Sequence, residues 1–400
     1  MMKGLEEPNW LVDIRAAARR RYDAVAWPGQ ADEEWKRSDI SKLGLDAAEG
    51  LESGRGPSDP DEGIVSMRGA KGELGKGPSF MSLGAAASGQ GKLLQALLAN
   101  ALVGATDRLA LWNLARFGAG GLLVIPPGFE SSEPILVDTS AQGALTSPRL
   151  IIVAGEGSRV DIVHRVSGDP GAGIVNAALD LRVGEGARVG LYEIQDLGSG
   201  TVYFRDGRAT IGRDAYLRHF GAEFGGRFVK SRLDCSIRGE GAEVRLDGAY
   251  HCAASQHMDL RTVQRHDSPR ATSRAFYKGA VEGGGRSVFQ GLIEVAVGAS
   301  GTDAYLTNRN LLLGDTARSD SIPTLRIGNN DVRCSHGSTT GRLSDDEIFY
   351  LESRGFDRRE ARELLIIGYY EELLGDTPGV FRDDGLALLR SRVSALGKVA

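Results

Sequence analysis

A short glycine-led signature returns at nearly constant spacing through the middle of this chain, and no other feature limits its fold so strongly. Gly155-Glu156-Gly157-Ser158-Arg159-Val160 is followed by Gly184-Glu185-Gly186-Ala187-Arg188-Val189. It comes back as Gly212-Arg213-Asp214-Ala215-Tyr216-Leu217 and Gly239-Glu240-Gly241-Ala242-Glu243-Val244, so the copies start 29, 28 and 27 residues apart. A weaker copy, Ser268-Pro269-Arg270-Ala271-Thr272, starts 29 residues later, and Gly298 opens another about 30 beyond it. A fixed period of this length marks a solenoid, whose units are too small to bury an apolar face alone and form a core only by stacking. The units carry runs such as Leu150-Ile151-Ile152-Val153, which read as strands, and they lack the Leu/Asn ladder of leucine-rich repeats. The expected fold is mainly β: a right-handed parallel β-helix (solenoid) core over residues 118–340, flanked by N-terminal and C-terminal α-helical segments. The competing reading is a β-sandwich whose turns fall at this spacing by coincidence. The 55 glycines among 400 residues follow no collagen period and so serve turns.

The flanks read differently. Residues 1–117 form a helical region with a mobile linker at about 46–78, where Gly, Ser, Pro and charge dominate. Within it, Trp10 to Ala26 carries an apolar stripe at Leu11, Ile14, Ala18, Tyr22 and Val25, and Lys92 to Phe117 carries another. Residues 341–400 read as a C-terminal helical domain. Ser344 with Glu347 predicts a capping box, and Gly355 ends that short helix. A second helix opens at Asp357 with Ala361, Leu364, Leu365 and Ile367 as its apolar face, and Leu386, Leu389, Val393 and Leu396 predict a third. Helices at both ends are expected to cap the stack and to offer a partner-binding face.

Charge and composition remove several function classes. The net charge is −5 and the longest basic run is Arg19-Arg20-Arg21, too small a footprint for nucleic acid. No apolar run approaches a membrane span, and Met1 to Pro8 has no signal-peptide core, so a cytoplasmic location is expected. Cys235, Cys252 and Cys334 are too few for a disulfide framework and read as free thiols. There is no P-loop, no G-x-S-x-G elbow and no H-E-x-x-H. Gly283-Gly284-Gly285 reads as a tight turn.

Two places gather ligand-type side chains. His251-Cys252, His257, Asp259 and His266 match no zinc module. They converge if stacked rungs bring them together; otherwise the imidazoles hydrogen-bond within the rungs. Cys334-Ser335-His336-Gly337 sets a thiol and an imidazole two residues apart, on one side of a strand. Such a pair suits iron or an iron–sulfur species; the alternative is a packed terminal rung.

The stretch from Asn308-Arg309-Asn310-Leu311-Leu312-Leu313, through Asp320-Ser321-Ile322-Pro323 and Cys334-Ser335-His336-Gly337, to Phe349-Tyr350-Leu351-Glu352-Ser353-Arg354-Gly355 resembles the SufB/SufD family of iron–sulfur cluster assembly proteins. Glu7-Pro8-Asn9-Trp10-Leu11, Glu34-Trp35-Lys36-Arg37-Ser38-Asp39, His257 to His266 and Phe276-Tyr277-Lys278-Gly279 resemble it as well. Within the family the chain looks like the SufD branch. SufB-like chains are longer, carry a Cys in the rung that here reads Leu311-Leu312-Leu313-Gly314-Asp315, and have Glu-His-Glu in place of Ser335-His336-Gly337. Many relatives have His-Thr where this chain has Arg261-Thr262, so no metal role passes to Arg261.

The resemblance implies a non-catalytic scaffold that pairs with a SufB-like paralogue through the β-helix ends and binds a SufC-like ATPase through its C-terminal helices, around Phe349, Tyr350, Leu351, Leu364 and Leu365. It implies His336, with Cys334, at a cluster-assembly site; Cys252, His257 and His266 are secondary candidates. No tightly bound cofactor is expected. A transient iron–sulfur cluster at the complex interface is implied, and the family's link to reduced flavin comes without a legible flavin motif here. A homodimer of the isolated chain stays open. The other readings are a SufB-like homodimeric scaffold, a structural β-solenoid and a carbohydrate-active β-helix protein.

Overall fold

The computed structural model describes residues 7–51, 65–68, 77–168, 171 and 173–395. Its centre is a parallel solenoid in which successive strands alternate between two facing sheets. One sheet has nine strands, from Val65–Arg68 to Val332–Arg342; the other has ten, from Ser79–Ser82 to Arg318–Ile327. Apolar side chains from both sheets, among them Ile162, Leu191, Leu217, Val244, Ile237, Phe289 and Leu306, fill the lumen between them.

The recurrent signature is the turn that closes each rung, and each of its positions has a physical duty. Its third residue is left-handed in the first five copies: φ is 65° at Gly157, 64° at Gly186, 53° at Asp214, 70° at Gly241 and 55° at Arg270. Gly, and less readily Asp, tolerate that region. Arg270 adopts it without either advantage, in the copy that the sequence shows as weakest. The left-handed residue's N–H donates to a carbonyl in the next rung, Gly157 to Glu185 at 2.8 Å and Asp214 to Glu240 at 2.9 Å, so the turns stack. The first residue lies against the preceding turn: a Cβ on Gly184 would sit 2.8 Å from Glu156 N, and one on Gly239 2.0 Å from Arg213 N. The fourth must be small because Ser158, Ala187, Ala215, Ala242 and Ala271 are all fully enclosed.

The helices do not cap the stack, contrary to expectation. The N-terminal helices Asn9–Ala24, Leu83–Gly89, Gly91–Gly104 and Arg108–Arg116 lie on the outer face of the ten-stranded sheet, over Leu122, Ile151, Val202 and Phe204. The C-terminal helices Asp345–Glu352, Arg358–Leu374 and Gly379–Ala395 belong to the opposite side, where Ile366, Tyr370 and Phe381 pack on Tyr192, Phe220 and Ala249 of the nine-stranded sheet. An apolar sheet face needs a cover along its length, and that demand places the helices. The first end of the solenoid is closed instead by two short antiparallel strands, Val65–Arg68 on Ile135–Ala141 and Ser79–Ser82 on Ala119–Ile125. The last end is uncovered among the described residues: no residue of Arg318–Ile327 or Val332–Arg342 is buried.

Most of the expected linker, 52–64 and 69–76, lies outside the described residues, but Val65–Arg68 within it is a sheet strand. The expected helix Lys92 to Phe117 breaks at Asp107, whose carboxylate accepts from Ala110 N at 2.8 Å and starts a new helix. Ser344 caps its helix, accepting from Glu347 N at 3.3 Å, but the reciprocal capping box forms one helix later, at Asp357 and Glu360. The buried stripe of that next helix is Ala361, Ile366, Tyr370, Leu373 and Leu374; Leu364 points outward. Leu396 lies outside the described residues.

Candidate functional site

Val332–Arg342 pairs only with Thr302–Leu312, so its other edge is free of any strand among the described residues. On Thr302–Leu312 the alternate residues Ala304, Leu306, Asn308 and Asn310 are buried in the lumen. Register places Cys334 beside Ala304, His336 beside Leu306 and Ser338 beside Asn308. Registered partners in a parallel ladder point to the same face, so the thiol and the imidazole both face the mouth of the lumen. Cys334 is half-buried against the apolar core and His336 is exposed. Leu306, one rung earlier, is 1 % exposed, so position on the last rung, and not side-chain direction, opens His336 to solvent.

Burial raises the Cys334 thiol above its ordinary value, partly offset by a backbone hydrogen bond from Ala304. The thiol therefore keeps its proton at neutral pH. Among the described residues no three His, Cys, Asp or Glu side chains come together as a metal cage. The pair can supply two ligands, one soft and one borderline, and a complete site needs donors from elsewhere.

The secondary candidates do not converge. Cys252 faces the lumen, where its thiol approaches Gln256 O and Arg286 O at 3.4 Å and burial pushes it up to about 12. His266 also faces inward, on Ser273 Oγ at 2.8 Å, with burial pushing it down to about 4. His257, an odd number of residues earlier on the same strand, faces outward. It stacks on Phe228 and meets Ser38 Oγ at 3.0 Å. Burial lowers it to about 4 as well. Around it, Lys230 Nζ donates to Asp259 at 2.5 Å and to Glu34 O at 2.7 Å, and Gln290 Nε2 donates to Glu34 O at 3.0 Å. Arg261 pairs with Glu34 at 2.9 Å. These groups fasten the 34–38 segment to the outside of the ten-stranded sheet. His251 is engaged with Glu282 at 2.7 Å.

The C-terminal helices expose Phe349 (70 %), Tyr350 (56 %) and Leu364 (44 %), with Leu351 and Leu365 half-buried beside them. The solvent side of these helices thus carries an apolar patch among charged residues such as Asp345, Arg359 and Glu371. Sequence reasoning missed a charged cluster in the lumen. Glu193 bonds Arg205, His164 Nδ1 (2.9 Å) and His219 Nε2 (2.7 Å), all buried. Burial would push its carboxyl up, but Arg205 and then the hydrogen bonds from His164 and His219 hold it well below the usual range. The signal was present in Val189, Leu191, Glu193 and Gln195, an alternation that puts a carboxylate on an apolar face.

Residues 137–369 match the family model described as SUF system FeS cluster assembly, SufBD core domain. An iron-sulfur cluster assembly SufBD family protein of Mycobacterium tuberculosis is 33 % identical over 281 residues, covering 67 % of this chain and 70 % of that protein. A SufBD family protein of Mycobacterium leprae is 29 % identical over 364 residues, 88 % of this chain and 86 % of its own. The iron-sulfur cluster assembly protein SufD of Escherichia coli is 38 % identical over 162 residues, 40 % of this chain and 37 % of its own.

Proposed function

This chain belongs to the SufBD family of iron–sulfur cluster assembly proteins, and from that membership we propose that it is a non-catalytic, SufD-type scaffold subunit that pairs through its uncovered last rung with a SufB-like paralogue in the cytoplasm. Its cargo is a nascent iron–sulfur cluster held transiently at the seam, faced from this side by His336 and Cys334. One observation carries the reading: the final strand turns an imidazole and a thiol into the lumen mouth while its outer edge has no strand neighbour among the described residues. An unpaired edge of eleven residues is a template for continuation by another chain. Thiolate and imidazole both ligate iron in iron–sulfur centres, and two donors leave the rest of the site to the partner. The likeness to the Escherichia coli protein named SufD supports the choice of branch.

ATP hydrolysis falls to a SufC-like partner seated on Phe349, Tyr350, Leu351, Leu364 and Leu365. The helix Arg358–Leu374 is tied to the solenoid by Lys278 Nζ donating to Tyr369 O at 2.7 Å and Tyr370 Oη donating to Tyr250 O at 2.5 Å. A pull on that helix therefore reaches the nine-stranded sheet, whose last strand carries His336. Closure of two ATPase copies then shifts the seam, provided that the seam makes different contacts in the two states.

The test is co-expression with SufB-like and SufC-like partners, followed by anaerobic iron and sulfide analysis of the purified complex. The expected result for His336→Ala is an intact complex with several-fold lower iron and sulfide. Equal loading would remove His336 from the site, and absence of a complex with wild type would remove the partner assignment.

A further inference from the structure

We propose that Arg326 and Arg333 on the last rung set the charge specificity of the seam, and that the partner's mating rung presents a carboxylate to each. The inference rests on the pairing through that rung described under the proposed function. Two rows of alternating charge run along the outside of the solenoid, one on each sheet, and both stop at an arginine. On the ten-stranded sheet Asp234 meets Arg265 at 3.3 Å, Arg265 pairs with Glu294, and register sets Arg326 beside Glu294. On the nine-stranded sheet Arg274 meets Asp303 at 3.0 Å, and register sets Arg333 beside Asp303. Neighbouring strands lie about 4.8 Å apart, so opposite charges on adjacent strands attract and like charges repel. The step after each arginine is therefore a place for an acid.

Both arginines point away from the lumen. Leu325, Val332 and Cys334, their neighbours in sequence, pack on the core, so strand alternation turns Arg326 and Arg333 to the outer face, where both are exposed. Glu294 and Asp303 are each held from the rung before, by Arg265 and Arg274. Residues 315–342 contain four arginines and three aspartates. Arg318 pairs with Asp320 at 3.2 Å and Arg342 with Asp315 at 2.6 Å. Arg326 and Arg333 have no ion pair among the described residues, and Asp331 is the one carboxylate of the rung left for them. The chain as a whole carries −5, yet its open end is positive. A second copy would bring the same shortage of carboxylates to the seam. A different solenoid, with an acid on the terminal strand of each sheet, continues both rows.

Charges at the rim of an interface act mainly on the rate of encounter, and salt screens them. Stopped-flow association of the full chain with a purified SufB-like paralogue, at salt from about 0.05 to about 0.5 M, therefore reads the effect. Wild type should slow as salt rises. Arg326→Glu with Arg333→Glu is expected to associate about tenfold more slowly at the low-salt end and to speed up with salt. Arg326→Ala with Arg333→Ala, which sets no new charge beside Glu294 or Asp303, should fall between the two. Arg159→Glu with Arg188→Glu makes the same change of net charge on exposed residues at the opposite end of the solenoid, and should keep the wild-type rate. Unchanged rates in the last-rung variants, beside normal pairing of wild type, overturn this proposal alone. Equal slowing by the opposite-end pair ascribes the effect to net charge and also overturns it. Self-association of wild type that the reversal abolishes, with the paralogue's rate untouched, gives the carboxylates to a second copy and overturns it too. Wild type that never binds the paralogue removes the pairing itself, and the proposal with it.

Discussion

Replacing Glu223 with Gln should change how the stability of this protein depends on pH, by an amount that follows from the position of the carboxyl. Glu223 is enclosed in the lumen, and burial, opposed by Arg205 and Ser231, raises its pKa from 4.5 to about 7. The folded state then holds its proton more tightly than the unfolded chain does. Stability from this group is fully present below about pH 4.5, falls as pH rises towards 7, and is flat above. At about 1.4 kcal/mol per unit, the loss approaches about 3 kcal/mol, most of it between about pH 5 and pH 8. Gln keeps the shape and does not titrate. The stability of Glu223→Gln relative to wild type should therefore rise by about 2–3 kcal/mol from about pH 5 to pH 8. With unfolding entropy near 2.1 cal/mol/K per residue, this is a relative gain in melting temperature of about 3 °C for a chain of 400 residues. Thermal melts of both proteins at the two pH values, at constant ionic strength, measure it, and the subtraction cancels every other titrating group. A difference that is flat with pH, or that moves the other way, would refute the reasoning.

The turns, the helical patch and the strap each give a further expectation. Gly239→Ala forces a Cβ to 2.0 Å from the Arg213 backbone; it should cost about 1–3 kcal/mol. Gly29→Ala, with nothing within 4 Å, should stay within about 0.5 kcal/mol in the same denaturation assay. Phe349→Asp changes an exposed residue, so the isolated chain should keep its melting temperature while co-purification with the SufC-like partner is lost. His257→Ala should raise hydrogen exchange in residues 34–38, which it helps to hold, and leave the iron content of the assembled complex unchanged.

The fold was legible because its turns obey local rules. The left-handed third residue, the close approach at the first and the enclosed fourth each restrict residue type, so the rung period stands in plain view. The pairing of Cys334 with His336 on one face followed from strand alternation alone. What lay beyond the sequence was the choice of surface. Nothing local distinguishes a helix that caps a stack from one that covers a sheet face; the apolar outer faces around Ile151 and Phe220 decided that. The same blindness turned Leu364 inward on paper, whereas Ile366 and Tyr370 take the buried positions. His257 and His266 were grouped because they are near in sequence, yet an odd separation on one strand sends them to opposite faces. The Glu193 cluster was overlooked for the opposite reason: its members come from four different strands and share no motif.

The seam itself can be probed by hydrogen exchange of this chain alone and after mixing with a SufB-like paralogue. The amides of Val332–Arg342 and Arg318–Ile327, which have no strand on their outer side among the described residues, should become several-fold slower to exchange, with Gly128 and the rest of the opposite end unaffected. Protection that appears elsewhere while these two strands exchange as before would contradict a scaffold that joins its partner at the last rung beside His336.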